Sequence, residues 1–128
     1  MSIQMERIDH IVLTVRDIEA TCRFYEEALG MKGVSFAGGR KALTFGDQKI
    51  NLHKAGEEFE PKAANPTPGS ADLCLIASVG LAEFMAHLKA LGIKILEGPV
   101  LRMGAMGPLR SVYLRDPDGN LIEVGSYD

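Results

Sequence analysis

The sequence has little of several features that would assign it to a specialised class of protein. Its 128 residues include no Trp, only 6% aromatic residues and two cysteines. Cys22 and Cys74 are too few for a disulfide scaffold, which favours a reducing, cytoplasmic compartment. The longest apolar runs fall far short of the roughly 18 residues of a membrane span, and no secretory leader pattern opens the chain. We therefore expect a compact protein without a membrane partner.

The sequence also lacks an excess of charge of one sign. It carries 14 Lys and Arg against 17 Asp and Glu, which leaves a formal net charge of -3. A nucleic-acid partner is therefore not expected, because such partners require a concentrated basic face. A chain of 128 residues suits one domain and buries roughly two-thirds of its surface. Neither a metal nor a disulfide is needed merely to fold it.

The chain contains an internal sequence repeat. At an offset of 62 residues, six positions carry the same residue, including the pairs Gly30 with Gly92 and Lys32 with Lys94. Each copy opens with an apolar run, passes a short loop and enters an amphipathic segment that closes in Ala-Leu-Gly. Each copy is thus predicted to form a strand, a helix and three short strands.

The repeat defines the expected organisation of the chain. We predict one domain over residues 1–128, with module 1 at about 5–55, a linker at 56–70 and module 2 at about 71–127. The first predicted helix has an apolar stripe and ends before Gly30; the stripe is Ile18, Cys22, Tyr25 and Leu29. The second predicted helix ends before Gly92, and its stripe is Leu81, Phe84, Leu88 and Leu91. The closing strands match at an offset of 72, so module 2 holds about ten extra residues. We assign these extra residues to a Gly-, Met- and Pro-rich loop at 98–108, which is flanked by Arg102 and Arg110. Two roles are open for this loop, a lid or a plain connection.

Strand alternation predicts which polar side chains share a face. The polar residues at equivalent repeat positions, all on the sheet face away from the helices, are His10, Asn51, Asp72 and Glu123. If two such sheets close on each other, these side chains converge. One imidazole, two carboxylates and an amide suit Mn²⁺, Mg²⁺, Ni²⁺ or Fe²⁺, and His53 is an alternative to Asn51. The plainer reading is a set of solvated polar residues on an open sheet.

Two segments carry a resemblance to a known family. The opening Ile-Asp-His-Ile at 8–11 and the closing Arg-Asp-Pro-Asp-Gly-Asn-Leu-Ile-Glu at 115–123 resemble the glyoxalase I, or vicinal-oxygen-chelate, superfamily. The resemblance covers nearly the whole chain and is strongest to short glyoxalase-domain-containing proteins, including a bacterial virulence-associated member. It implies an α+β fold of two tandem βαβββ modules that form an incomplete barrel around a central cavity. It also implies a homodimer.

The resemblance implies a metal site as well. The family's ligand positions fall on His10, Asn51, Asp72 and Glu123, of which His10 and Glu123 match the family pattern. Asp72 stands where His or Gln is common, and Asn51 where Glu or another ligand is common, so His53 or water would complete the shell. The implied cofactor is one divalent metal, with Mn, Ni, Fe, Mg and Zn all open.

The implied chemistry is activation of a small substrate through two adjacent oxygens. Glu123 would hold the metal and serve as the base, while Tyr113, Arg115, Arg102 and Arg110 would bind substrate. The leading expectation is a metal-dependent lyase, isomerase or dioxygenase acting on a small oxygenated metabolite. The alternative is a metal-free drug- or metabolite-binding protein that resembles the bleomycin-resistance proteins.

Overall fold

The computed structural model describes residues 2–127, which form two compact units with their boundary in the chain between Thr67 and Pro68. Each unit is a strand, a helix and three strands, so the α+β fold of two tandem βαβββ modules is confirmed. The elements are β1 His10–Val15, α1 Ile18–Leu29, β2 Lys32–Phe36, β3 Arg40–Phe45, β4 Gln48–Lys54, β5 Asp72–Ile76, α2 Leu81–Ala90, β6 Glu97–Gly104, β7 Gly107–Arg115 and β8 Leu121–Ser126. Neither described helix is long and apolar enough to cross a membrane.

Module 1 is an open four-stranded sheet with the order β1-β4-β3-β2. β1 runs parallel to β4, and the other pairs are antiparallel. The row Val12, Asn51, Ala42 and Val34 crosses the sheet on the face that lies opposite α1. The core on the α1 side is made of Leu13, Val15, Tyr25, Ala28, Leu43, Ile50 and Leu52.

Helix α1 begins and ends where the sequence predicts. The Asp17 carboxylate accepts a hydrogen bond from the Ala20 amide at 3.0 Å, and Gly30 ends the helix with a φ of 67°. Its buried face differs from the predicted stripe, because Thr21, Tyr25 and Ala28 are buried while Cys22 is half-buried. Thr21 can occupy the core because its hydroxyl donates to the Asp17 carbonyl at 2.8 Å.

Module 2 has the equivalent sheet order β5-β8-β7-β6, with β5 parallel to β8. Helix α2 packs on it through Phe84 and Leu88. The predicted stripe extends one residue too far, since α2 ends at Ala90 and Leu91 is 42% exposed. Gly92 follows with a φ of 72°, the left-handed backbone conformation that commonly ends a helix.

The segment 98–108 is not the loop that its glycines predict. It forms most of β6 and the start of β7, which pair as an antiparallel hairpin from Val100 with Ser111 to Gly104 with Gly107. A register shift between Glu97 and Val100 takes up residues at the start of the hairpin. At that point a Cβ on Gly98 would lie 2.5 Å from the Ser111 carbonyl oxygen, so the glycine permits close strand contact.

The turn between β7 and β8 ties the module together through buried polar groups. The Asp116 carboxylate accepts from the amides of Asp118 and Asn120, both at 2.9 Å, and from the Asn120 side chain at 2.8 Å. Asn120 in turn accepts from the Ala71 amide at 2.8 Å, and the Ala71 carbonyl accepts from the Leu121 amide. The turn therefore holds the start of β5 against the start of β8.

We expect Asp116→Ala to lower the free energy of unfolding by about 2–4 kcal/mol, because three donors would lose a charged, buried acceptor. Urea denaturation followed by circular dichroism measures the change. Asp47→Asn is the control, since the Asp47 side chain is 83% exposed, and it should shift stability by less than about 0.5 kcal/mol. Equal stability of the two variants would contradict a structural role for the turn.

Candidate functional site

On the open face of module 1, His10 lies at the start of β1 beside a carboxylate. Its Nδ1 is 2.8 Å from the Asp9 Oδ2, which leaves Nε2 for a further ligand. This hydrogen bond is the largest cause that lowers the pKa of Asp9 below its usual value, with smaller contributions from the charges of His10, Arg7 and Lys49. Asp9 is therefore anionic at neutral pH and orients the ring.

Asn51 and His53 lie further along β4 on the same face. The Asn51 Oδ1 is buried and accepts no hydrogen bond from any residue that the structure describes. His53 is 8% exposed, because the Phe59 ring covers it edge-on with centroids 5.5 Å apart. Of these two candidate ligands, Asn51 offers a side-chain oxygen that no described donor occupies, whereas the His53 side chain is largely shielded from solvent.

On the open face of module 2, Glu123 is half-buried in the middle of β8. The register places it between Cys74 on β5 and Tyr113 on β7. Desolvation is the main cause that raises the pKa of the Cys74 thiol to about 11, and the Glu123 charge and a hydrogen bond to Glu123 add to it. Asp72 lies two residues before Cys74 on the same face and is exposed.

Arg102 and Tyr113 form a polar group across the β6–β7 hairpin. The Arg102 Nε donates to the Tyr113 hydroxyl at 2.9 Å, and its Nη2 lies 3.0 Å from the Glu97 carboxylate. Both partners raise the pKa of Arg102, Tyr113 more than Glu97. Since Tyr113 accepts from Arg102, its own O–H stays available to donate to a ligand.

The other two arginines are placed differently. Arg115 donates to the Gly119 carbonyl at 3.2 Å and thus contacts the β7–β8 turn. Arg110 pairs with Leu101 and Ser126, and alternation puts it on the face opposite Tyr113. The structure therefore groups Arg102 with Tyr113 and separates Arg110 from both.

Within residues 2–127, no three His, Cys, Asp or Glu side chains lie close enough together to hold a metal ion. The four candidate ligands divide evenly between the modules, with His10 and Asn51 in the first and Asp72 and Glu123 in the second. The contacts of Phe59 were not predicted, because this residue lies in the segment expected to be a polar linker. No local periodicity signals that it returns to the sheet.

Comparison with known proteins identifies the family. The family model described as "Glyoxalase/Bleomycin resistance protein/Dioxygenase superfamily" matches residues 7–124. The chain belongs to this superfamily, which confirms the resemblance carried by its two terminal motifs.

Two curated relatives are similar over most of the chain. Virulence protein STM3117 of Salmonella typhimurium is 59% identical, with 98% of this chain and 89% of the relative covered. Its crystal structure matches with a TM-score of 0.97 over 98% of this chain and 100% of that one. Glyoxalase domain-containing protein RDO1 of Mycosarcoma maydis is 53% identical, with 98% and 70% covered.

More distant structures share the fold. Lactoylglutathione lyase from Agrobacterium tumefaciens is 27% identical with a TM-score of 0.72, covering 96% of this chain and 95% of that one. TnmS3, an antibiotic-binding protein from Streptomyces, is 22% identical with a TM-score of 0.73 and 98% coverage of both chains. An enzyme and a binding protein are thus both built on this architecture.

The Cys74 thiol supplies a test of the geometry around Glu123. Thiols react with iodoacetamide as thiolates, so at pH 9 only about one per cent of Cys74 is reactive if its pKa is about 11. We expect the alkylation rate, followed by peptide mass spectrometry in the presence of chelator, to rise with a midpoint near that value. Glu123→Gln should lower the midpoint, because it removes a negative charge that disfavours the thiolate.

Glu83→Gln is the matched control, since it makes the same change in the first turn of α2. An unshifted Cys74 midpoint in Glu123→Gln would contradict the contact between the thiol and the carboxylate.

Proposed function

We propose that the protein is a divalent-metal-dependent enzyme of the lyase, isomerase or dioxygenase type that acts on a small oxygenated metabolite. His10, Asp72 and Glu123 would serve as metal ligands, and Asn51 and His53 as further metal or substrate contacts. The observation that carries the proposal is the His10–Asp9 contact of 2.8 Å. A carboxylate bound to one ring nitrogen is the usual partner of a metal-ligating histidine, since it fixes the ring and raises its basicity.

The donor atoms fit a hard divalent cation. The set offers one imidazole nitrogen, two carboxylates and an amide oxygen, and it contains no thiolate. The Asn51 Oδ1, buried without a donor, is an oxygen that a cation or a substrate hydroxyl would satisfy. The chemistry of these donor atoms therefore supports the ligand set.

The residues around Glu123 support proton transfer. When bound, a divalent cation would polarise two vicinal substrate oxygens as a Lewis acid. The Glu123 carboxylate would take a proton from the substrate carbon and return it to the neighbouring carbon or oxygen. The Tyr113 hydroxyl, held by Arg102 at 2.9 Å, would donate to a substrate oxygen as negative charge develops there.

Metal binding is the direct test. We expect His10→Ala and Glu123→Gln each to lower metal affinity at least about tenfold while the far-UV spectrum is retained, because each variant removes a ligand. Metal content after purification without chelator and the melting shift with Mn²⁺, Ni²⁺, Fe²⁺ and Zn²⁺ provide the measurement. His87→Ala, a histidine change on the exposed side of α2, is the control. A metal affinity equal to that of the wild type in both ligand variants would contradict the proposal.

A homodimer is proposed from the family and from the surface of module 2. β6 is an edge strand, and three apolar side chains on its hairpin are largely exposed: Leu101 at 68%, Met103 at 78% and Met106 at 79%. Such a patch on an open edge favours association with another protein surface. We expect a dimer by analytical ultracentrifugation and a shift toward monomer in Met103→Glu. A wild-type monomer at all concentrations would contradict it.

The second candidate function is a metal-free binding protein. It is favoured by Asn51, a neutral amide at a position where an enzyme of this family commonly has a charged ligand. In that case an added metal would produce no melting shift, whereas a cognate small molecule would. The two candidates therefore separate in the same experiment.

A further inference from the structure

A groove lies between helix α1 and the edge of the sheet in module 1, on the face opposite His10 and Asn51. Its volume is about 380 Å³, at the small end of the range of ligand pockets. The side chains used below that line it are Ile18, Glu19, Cys22, Arg23 and Glu26 on α1 and Lys41 on β3. The groove thus brings together two carboxylates, two cations, a thiol and an aliphatic side chain.

Glu26 is held on the backbone of β2. The Gly33 amide donates to the Glu26 Oε2 at 3.1 Å. A Cβ on Gly33 would lie 2.9 Å from that same oxygen and 3.8 Å from the Cys22 Sγ, so the glycine permits the carboxylate to approach the strand. This hydrogen bond uses one carboxylate oxygen, and the other stays available to a donor from a ligand.

Lys41 is held on the same strand from the other side of the groove. It is the cross-strand partner of Ser35, and its Nζ donates to the Ser35 Oγ at 2.6 Å. An ammonium carries three N–H groups, so two of them remain for a ligand. Because Gly33 and Ser35 are two residues apart on β2, the strand holds the carboxylate and the ammonium at points about 7 Å apart.

The charged groups of the groove surround one sulfur without neutralising each other. Desolvation is the main cause that raises the pKa of Cys22, the charge of Glu26 raises it further, Lys41 lowers it and Glu19 raises it. In the described part of the chain, neither Glu26 nor Lys41 has an ion-pair partner. A carboxylate and an ammonium that are each held in place and do not meet leave room between them for a molecule that carries both charges.

We propose that this groove binds a free α-amino acid with an apolar side chain. The ligand ammonium donates to Glu26, the ligand carboxylate accepts from Lys41, and the apolar side chain lies against Ile18 and Cys22. Two charge-assisted hydrogen bonds to groups already held in position favour the zwitterion over a simple cation or anion. The groove lies on the opposite face of the sheet from His10, so the inference does not rest on the proposed metal site.

Ligand-observed NMR tests the proposal. The probes are L-leucine, leucinamide, which lacks the carboxylate, and N-acetyl-L-leucine, which lacks the ammonium. We expect saturable binding of L-leucine with a dissociation constant of about 1 mM or tighter. Each derivative should bind at least about tenfold more weakly, because it loses one charged partner. Absence of saturable L-leucine binding, or equal binding of either derivative, overturns the proposal.

Alkylation of Cys22 locates the ligand. L-leucine at about ten times its dissociation constant occupies about 90% of the protein and should slow the reaction of Cys22 with iodoacetamide at least about fivefold, because the ligand covers the thiol. Cys74 in module 2 is the internal control and should react at an unchanged rate. Peptide mass spectrometry follows both thiols in one sample. An unchanged rate at Cys22, or equal slowing of both thiols, contradicts the placement.

Variants identify the charged partners. Glu26→Gln and Lys41→Gln should each weaken L-leucine binding about tenfold with an unchanged far-UV spectrum. Gly33→Ala should weaken it as well, because the new Cβ would lie 2.9 Å from the Glu26 carboxylate and displace it. Lys49→Gln is the matched control, since it removes the same charge from the opposite face of the sheet, in the row of His10. Equal weakening by Lys49→Gln would indicate general electrostatics and overturn the assignment.

Discussion

The buried carboxylate of Asp116 is the constraint on which the second module depends. A carboxylate that is 5% exposed is costly unless donors surround it, and this one accepts from two backbone amides and the Asn120 side chain. Through Asn120 the same turn holds Ala71 and so sets the register of β5 on β8. A shift of one residue would send Glu123 to the helix side of the sheet. The motif that marks the family is thus also what positions its carboxylate.

The two modules share a topology but use their open faces differently. Module 2 presents carboxylates with a hydrogen-bonded Arg102–Tyr113 pair, whereas module 1 presents cations stacked on phenylalanines. Part of this difference comes from Phe59, which follows β4 and stacks on Arg40. The two modules share one backbone topology, and the side chains on their open faces account for the separate chemistry.

Where the structure differs from the expectations drawn from the sequence, the difference has an identifiable physical cause. Glycine and proline at 98–108 favour a loop, but cross-strand hydrogen bonds with β7 outweigh the local preference, so β6 is a strand. The stripe on α1 omitted Thr21, because its burial depends on a hydroxyl bond to Asp17 that hydropathy does not register. Phe59 lies in the predicted linker, and its contacts with His53 and Arg40 join residues that no local pattern in the sequence connects. In each case a long-range or side-chain contact decided the outcome.

The sequence by itself determined the order of elements, the helix α1 with its C-terminal cap, the internal repeat and the family. These depend on short-range periodicity, on the capping glycine Gly30, and on motifs that are contiguous in the chain. Alternation within a strand also put Asp72 and Cys74 on one side. Only the tertiary structure decided that Cys74 lies beside Glu123, that Arg102 binds Tyr113, and that Arg40 and Lys49 stack on phenylalanine rings. Such pairings join residues distant in sequence, and strand register and side-chain packing select them after the chain has folded.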